Sequence, residues 1–187
     1  MPRVMVVYED SRGPQKNFGL HTLVLSMVSD SNGTAIEKLK GEVQENPMKG
    51  NGQVKETLEK NFQGGPLDDF CMVVAVFDED RIRELYKLSS NASVDEIKDR
   101  IIHEAGNPRS LKVILLQRNM ETVLEAARDC DPALPKERLE KALKKDLNAR
   151  DAILNRIAWG MSKAIRDCIK ARVPALEELR NLILSAL

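Results

Sequence analysis

The residues best suited to chemistry in this chain are carboxylates that follow apolar runs. In CMVVAVFDEDR, residues 71–81, six apolar residues from Met72 to Phe77 lead directly into Asp78, Glu79 and Asp80. A short uninterrupted apolar run reads as a fully buried strand. Side chains alternate along a strand, so Asp78 and Asp80 should leave its end on one side and Glu79 on the other. Two carboxylates roughly 7 Å apart along the chain at the carboxyl edge of a sheet can share a hard divalent cation. That edge is also where open α/β sheets bind their ligands. The plainer alternative is three acids that solubilise a turn.

Two further runs repeat the pattern. RVMVVY, residues 3–8, ends in Glu9 and Asp10, and SLKVILLQ, residues 110–117, leads into RNMETVLEAARDC with Glu121 just past the strand end. Acids also suit the first turn of a helix because of its dipole, so Glu121 has a structural explanation beside the chemical one. Several carboxylates at one sheet edge repel each other. A bound Mg²⁺ or Mn²⁺, held by carboxylates and water, would relieve that repulsion. Lys49, Arg81 and Arg118 lie close in sequence to these strand ends and can steer a phosphate backbone, although each is equally a surface charge. Lys49 sits in KGNG, which lacks the GxxxxGK[ST] spacing of a phosphate-binding loop.

These residues need a scaffold, and the chain reads as α/β. The first run is followed by SRGPQKN, a turn-rich loop, and by FGLHTLVLSMV, whose Phe18, His21, Leu25 and Val28 are near helical spacing. Strand, loop and helix in that order suggest a mostly parallel sheet. TAIEKLKGEVQ fits a helix or a strand, ENPMKGNGQ reads as a loop, and VKETLEKNF as a helix. GGPLDD is a turn into the central strand. Ser93 and Glu96 form a capping box for a helix from about Val94 to Glu104, with Gly106 as its stop. His103 near that C-terminus suits the helix dipole, and His21 reads as a packed or half-exposed side chain. From residue 131 onward the chain is helical. Leu139, Leu143 and Leu147 form one apolar stripe, and Ile153, Ile157, Met161, Ile165 and Ile169 a second. Trp159 lies off that stripe. The organisation expected is an α/β domain over residues 1–130 and a packed helical extension over 131–187.

The motifs resemble the Toprim domain of topoisomerases, primases and the overcoming-lysogenisation-defect nucleases. That family carries a glutamate after its first strand and an Asp-x-Asp after its third. Here RVMVVYED supplies Glu9, and VVAVFDED supplies Asp78 and Asp80. With LLQRNMETVLEAA and the helical end ARVPALEELRNLIL, the chain looks most like the small Toprim-like nucleases of bacterial defence loci, often encoded beside an ATPase. The resemblance implies a Toprim-like sheet flanked by helices with a helical C-terminal extension. It implies metal-dependent phosphodiester cleavage of DNA or RNA in antiviral defence, with an ATPase as partner. Glu9, Asp78 and Asp80 would be catalytic. The same three, with Asp10 and Glu121, would hold Mg²⁺ or Mn²⁺, and Lys49, Arg81 and Arg118 would contact nucleic acid. One departure is that Asp10 follows Glu9 where the family has glycine.

Two rival functions fit the same residues. One is a non-catalytic Toprim-like subunit that docks on a partner through its helical end. The other is a receiver-like signalling domain, which also carries two acids after its first strand and an aspartate after its third. Against it, Asp78 is far from Asp10 in sequence and no lysine closes the SLKVILLQ strand.

Bulk properties narrow the field less. Lys plus Arg and Asp plus Glu are equal at 29 each, so nucleic acid would need a local basic face. The apolar runs are too short to span a bilayer, and VMVV, followed by Tyr8, runs straight on into Glu9 and Asp10, unlike a signal peptide. Cys71, Cys130 and Cys168 are odd in number and widely spaced, which suggests buried free thiols in a reducing cytoplasm. The oligomeric state is left open by the sequence.

Overall fold

Four runs of the chain become the strands of one all-parallel sheet in the order β2-β1-β3-β4: β1 (Val4–Asp10), β2 (Val43–Lys49), β3 (Met72–Asp78) and β4 (Leu111–Leu116). The computed structural model describes residues 2–10, 18–117, 119–144 and 146–187. The SRGPQKN loop after β1, residues 11–17, and Arg118 therefore lie outside the described residues. The expected α/β architecture is present: the sheet is flanked by helices and the C-terminal region is helical.

By contacts the chain divides into two units. The first comprises Met1–Gln15, Gly41–Asn119 and Ala186–Leu187, and the second Lys16–Lys40 and Met120–Ser185. The first unit holds the whole sheet with α3 (Gly50–Asn61), α4 (Ile82–Leu85) and α5 (Val94–Glu104). Alternate residues of β1, β3 and β4 meet these helices. Val7, Val73, Ala75, Phe77, Val113 and Leu115 join Val54, Leu58, Tyr86, Ile97 and Ile101 in one buried cluster. The intervening residues Val4, Val6, Val74, Val76, Ile114 and Leu116 are buried too. Burial on both faces is why these strands read as continuous apolar runs. Phe77 and Tyr86 meet edge to face at 6.1 Å, a favourable arrangement of their ring quadrupoles.

The ambiguous segment resolves differently from its expected reading. TAIEKLKGEVQ splits into α2 (Ile36–Glu42) and the start of β2, and ENPMK, read as loop, completes β2. β2 is an edge strand, buried only at Val43 and Pro47, and an edge tolerates Pro47, which has no N–H to give a ladder. The Ser93 capping box is formed as expected: Glu96 N–H donates to Ser93 Oγ and Ser93 N–H to Glu96 Oε2.

The second unit contains α1 (Gly19–Asn32), α2 up to Lys40, α6 (Asn119–Cys130) from Met120, α7 (Lys136–Leu143), α8 (Leu147–Gly160), α9 (Lys163–Arg172) and all but the last residue of α10 (Pro174–Ala186). Thus α1 and α6, which the sequence assigns to the α/β domain, group by contacts with the C-terminal helices. α1 packs chiefly on α8. A Cβ at Gly19 would lie 3.0 Å from Asp151 Oδ1 and 3.1 Å from Leu154 Cβ, so glycine permits that close approach. His21 is buried in α1, in keeping with a packed histidine. The second apolar stripe does not run along one helix, because the chain leaves helix at Met161 between α8 and α9. Trp159 is half exposed, with Lys40 Nζ 5.6 Å from its ring centre.

The cysteines do not match the expectation of three buried thiols. Cys130 ends α6 and meets Cys168 of α9 with Cα atoms 5.9 Å apart, and the two form a disulfide; Cys71 is free and exposed. The helices bring a widely spaced pair within bridging range, which spacing along the chain does not reveal. This removes the basis for inferring a reducing compartment from the cysteines. No helix among the described residues is long and apolar enough to cross a membrane.

Candidate metal site at the carboxyl edge of the sheet

The chain steps from β1 to β2 in one direction across the sheet and from β3 to β4 in the other, so the strand order reverses between β1 and β3. Such a reversal opens a crevice at the carboxyl ends of the two strands. The pairing shows where it opens. Tyr8 is the last residue of β1 in register with β3, opposite Val76, whereas β1 stays paired with β2 to Asp10 and Lys49, and β3 with β4 to Asp78 and Leu116.

Strand alternation then sorts the acids. Val7 of β1 and Phe77 of β3 face α3 and α5. Glu9 follows the parity of Val7, and its register partner Met48 packs against the same cluster. Asp10 and Asp78 follow the parity of Tyr8 and Val76 and leave the sheet on its other face. Each is two residues beyond the last paired position of its strand, so Asp10 and Asp78 are counterparts across the crevice. Asp10 is almost wholly buried and Asp78 half-buried.

The remaining candidates are dispersed around that pair. β3 ends at Asp78, so Asp80 is placed by a turn and not by strand alternation. Its N–H donates to Asp78 Oδ1 at 3.2 Å, and its side chain is exposed. Glu79 N–H donates to Leu116 O, and its carboxylate pairs with Arg83 at 3.5 Å. Arg81 is exposed in a left-handed conformation, φ 63°, at the start of α4. Lys49 is exposed, stands in register with Asp10 on the adjacent strand, and begins α3 by donating its N–H to Gln53 Oε1. Glu121 occupies the first turn of α6, where the helix dipole suits an acid, and groups by contacts with the second unit. Tyr8 beside the crevice is held well above its usual pKa by burial and by the charge of Glu45, so its phenol stays protonated.

The donors at this edge are hard oxygens, which suit Mg²⁺ or Mn²⁺. Among the described residues no three His, Cys, Asp or Glu side chains gather into a metal-holding group. Mg²⁺ is commonly bound through one or two carboxylates with water filling its other positions, and Asp10 and Asp78 are the strand-end carboxylates on one face here. An open groove elsewhere, on the helical unit, is lined by Lys170, Pro174, Glu177, Asn181, Leu182 and Ser185. It offers one charged pair, Lys170 with Glu177 at 3.7 Å, and none of the candidate residues.

Sequence reasoning singled out Lys49 in KGNG and passed over its neighbour Asn51. The Asn51 amide is the side chain that reaches the end of β3. Its Nδ2 donates to Asp78 O at 2.8 Å and to Asp80 O at 3.4 Å, and its Oδ1 accepts from Asp78 N–H at 3.1 Å. The one local signal was Gly50 beside it, whose φ of +80° marks the turn from β2 into α3.

No protein-family model, no curated protein and no solved structure matches this chain.

Proposed function

We propose that this chain is a Toprim-like, Mg²⁺- or Mn²⁺-dependent nuclease that cleaves phosphodiester bonds in DNA or RNA. The observation that carries the proposal is the placement of Asp10 and Asp78 as counterparts on one face of adjacent strands, where the pairing of β1 and β3 ends. A hard divalent cation is attracted by carboxylates gathered at a strand-order reversal, and it is the partner that a phosphodiester substrate also recognises.

In this scheme Asp10 and Asp78 hold the ion. When bound, it lowers the pKa of a coordinated water and neutralises charge on the phosphate undergoing substitution. Asp80, exposed and tethered to Asp78, is suited to accept the proton of the attacking water. Lys49, one strand away from Asp10, and Arg81 beside the β3 turn attract the nucleic-acid backbone. Glu9, on the opposite face, supports the edge without ligating the ion. The wider role is cleavage in antiviral defence together with an ATPase partner, as the Toprim resemblance implies.

The test is cleavage of plasmid DNA and structured RNA with Mg²⁺ or Mn²⁺ by wild-type protein and by Asp78→Ala, with circular dichroism to establish that the variant is folded. Cleavage by wild type that disappears in the folded variant supports the proposal. Cleavage that persists in Asp78→Ala, or wild-type protein that neither binds Mn²⁺ nor cleaves, overturns it. Phosphorylation of Asp78 by acetyl phosphate would instead identify a receiver-like domain.

A further inference from the structure

Backbone groups along a strand point alternately to its two neighbours. Met72 N–H donates to Arg3 O on the β1 side, and Glu79 N–H donates to Leu116 O on the β4 side. Asp78 is an even number of residues from Met72, so its N–H and C=O face β1. With the β1 ladder ended at Tyr8 and Val76, those two groups would lack strand partners. The Asn51 side chain supplies both, accepting from Asp78 N–H and donating to Asp78 O. A carboxamide carries one acceptor and a two-hydrogen donor in the plane of an amide, so it reproduces what a β1 peptide would offer. Its second contact, to Asp80 O, extends the hold to the turn that carries the next acid.

We infer that Asn51 is a positioning residue: it stands in for β1 as the partner of β3 and fixes the backbone that carries Asp78 and Asp80. The inference rests on the metal-site reading for its functional half only. Asn51 is placed by the first turn of α3, where Gly50 takes φ +80° and lets the chain turn from β2 into the helix. It is half-buried and touches the backbone of the acids, so its effect on the ion is exerted through Asp78.

Amide hydrogen exchange followed residue by residue, with Mn²⁺ titration of the same full-length samples, tests both halves. Asn51→Ala removes every contact, whereas Asn51→Asp keeps the acceptor for Asp78 N–H and removes the donors to Asp78 O and Asp80 O. In Asn51→Ala, Asp78 N–H should exchange at least about tenfold faster while Val74 and Val76 keep their protection. In Asn51→Asp, Asp78 N–H should stay protected. Mn²⁺ affinity should fall about tenfold or more in Asn51→Ala, the scale seen when groups that orient metal ligands are removed. Unchanged Asp78 exchange in Asn51→Ala overturns the substitution of Asn51 for β1. Lost protection with unchanged Mn²⁺ affinity overturns the positioning role and leaves a purely structural contact. Wild-type protein that binds no Mn²⁺ overturns the metal reading and the positioning role with it, while the exchange pattern still decides the backbone half separately.

Discussion

Tyr8 stands opposite Val76, and beyond that pair β1 and β3 no longer run in register. Asp10 and Asp78 each lie two residues further along their strands and on the same face, so their carboxylates, not that of Glu9, flank the opening.

A ranking of the acids follows. Asp10→Asn and Asp78→Asn should each weaken Mn²⁺ binding by more than about 100-fold, beyond the range of outer-sphere changes. Glu9→Gln should weaken it by no more than about tenfold. Calorimetric or electron-paramagnetic-resonance titration of the three folded variants checks the order. A Glu9→Gln protein as impaired as Asp78→Asn would show that the face assignment does not govern binding.

In the helical unit, Arg166 joins residues far apart in sequence. Its Nε donates to Asp30 Oδ2 at 2.6 Å and its Nη2 to Asp30 Oδ1 at 2.8 Å, while Nη1 donates to the carbonyl of Ile157 at 3.1 Å near the end of α8. The hydrogen bonds to Asp30 raise the guanidinium's pKa despite its burial, so it stays charged. Removing one partner leaves the other buried without compensation. Arg166→Met should therefore lower stability by about 3–5 kcal/mol in urea unfolding. Asp30→Asn, which retains one acceptor for the guanidinium, should cost less.

The Lys55–Glu104 pair in the sheet unit gives stability a pH dependence. Burial pushes the Glu104 carboxyl up, but the hydrogen bond and charge of Lys55, aided by Arg100, outweigh it and hold the carboxyl below its usual range. Burial pushes Lys55 down, and its hydrogen bonds to Glu104 and Glu59 outweigh that. A depressed carboxyl stabilises the fold above its unfolded value of about 4.3 and loses that contribution as pH falls through the folded value. Glu104→Gln should thus be less stable than wild type at neutral pH, with the difference starting to shrink as pH falls below about 4.3 and gone only below the depressed folded value. Urea midpoints across that range check it. A difference that persists undiminished in acid would assign the loss to packing alone.

Thiol counting tests the cysteine arrangement. Under native, unreduced conditions one thiol, Cys71, should react promptly, and reduction should release two more. Cys130 and Cys168 are 38 residues apart, and opening a loop of that size should lower stability by about 2–4 kcal/mol. Three reactive thiols before reduction would show that the bridge does not form.

β1, β3 and β4 were legible because burial on both faces writes itself as an uninterrupted apolar run, and the Ser93 box was legible because a cap is a contact between residues three apart. Both depend only on local pattern. β2 was not, because an edge strand carries charge and proline among its buried positions and VQENPMK therefore imitates a loop. The apolar spacing of four from Ile153 to Ile169 gives no sign that the chain leaves helix after Gly160, since that spacing continues across the break.

For the candidate site, the sequence by itself determined that Glu9, Asp10, Asp78 and Asp80 follow strands, because carboxylates after a buried run must emerge at a strand end. Only the tertiary structure decided that β1 and β3 are neighbours, that their pairing stops at Tyr8 and Val76, and that Asp10 rather than Glu9 shares a face with Asp78. It also decided that Asn51, 27 residues from Asp78, closes the gap. Strand order, register and long-range hydrogen bonds are relations between segments. A one-residue shift of register would exchange the roles of Glu9 and Asp10, and no local pattern in either segment records which register the sheet adopts.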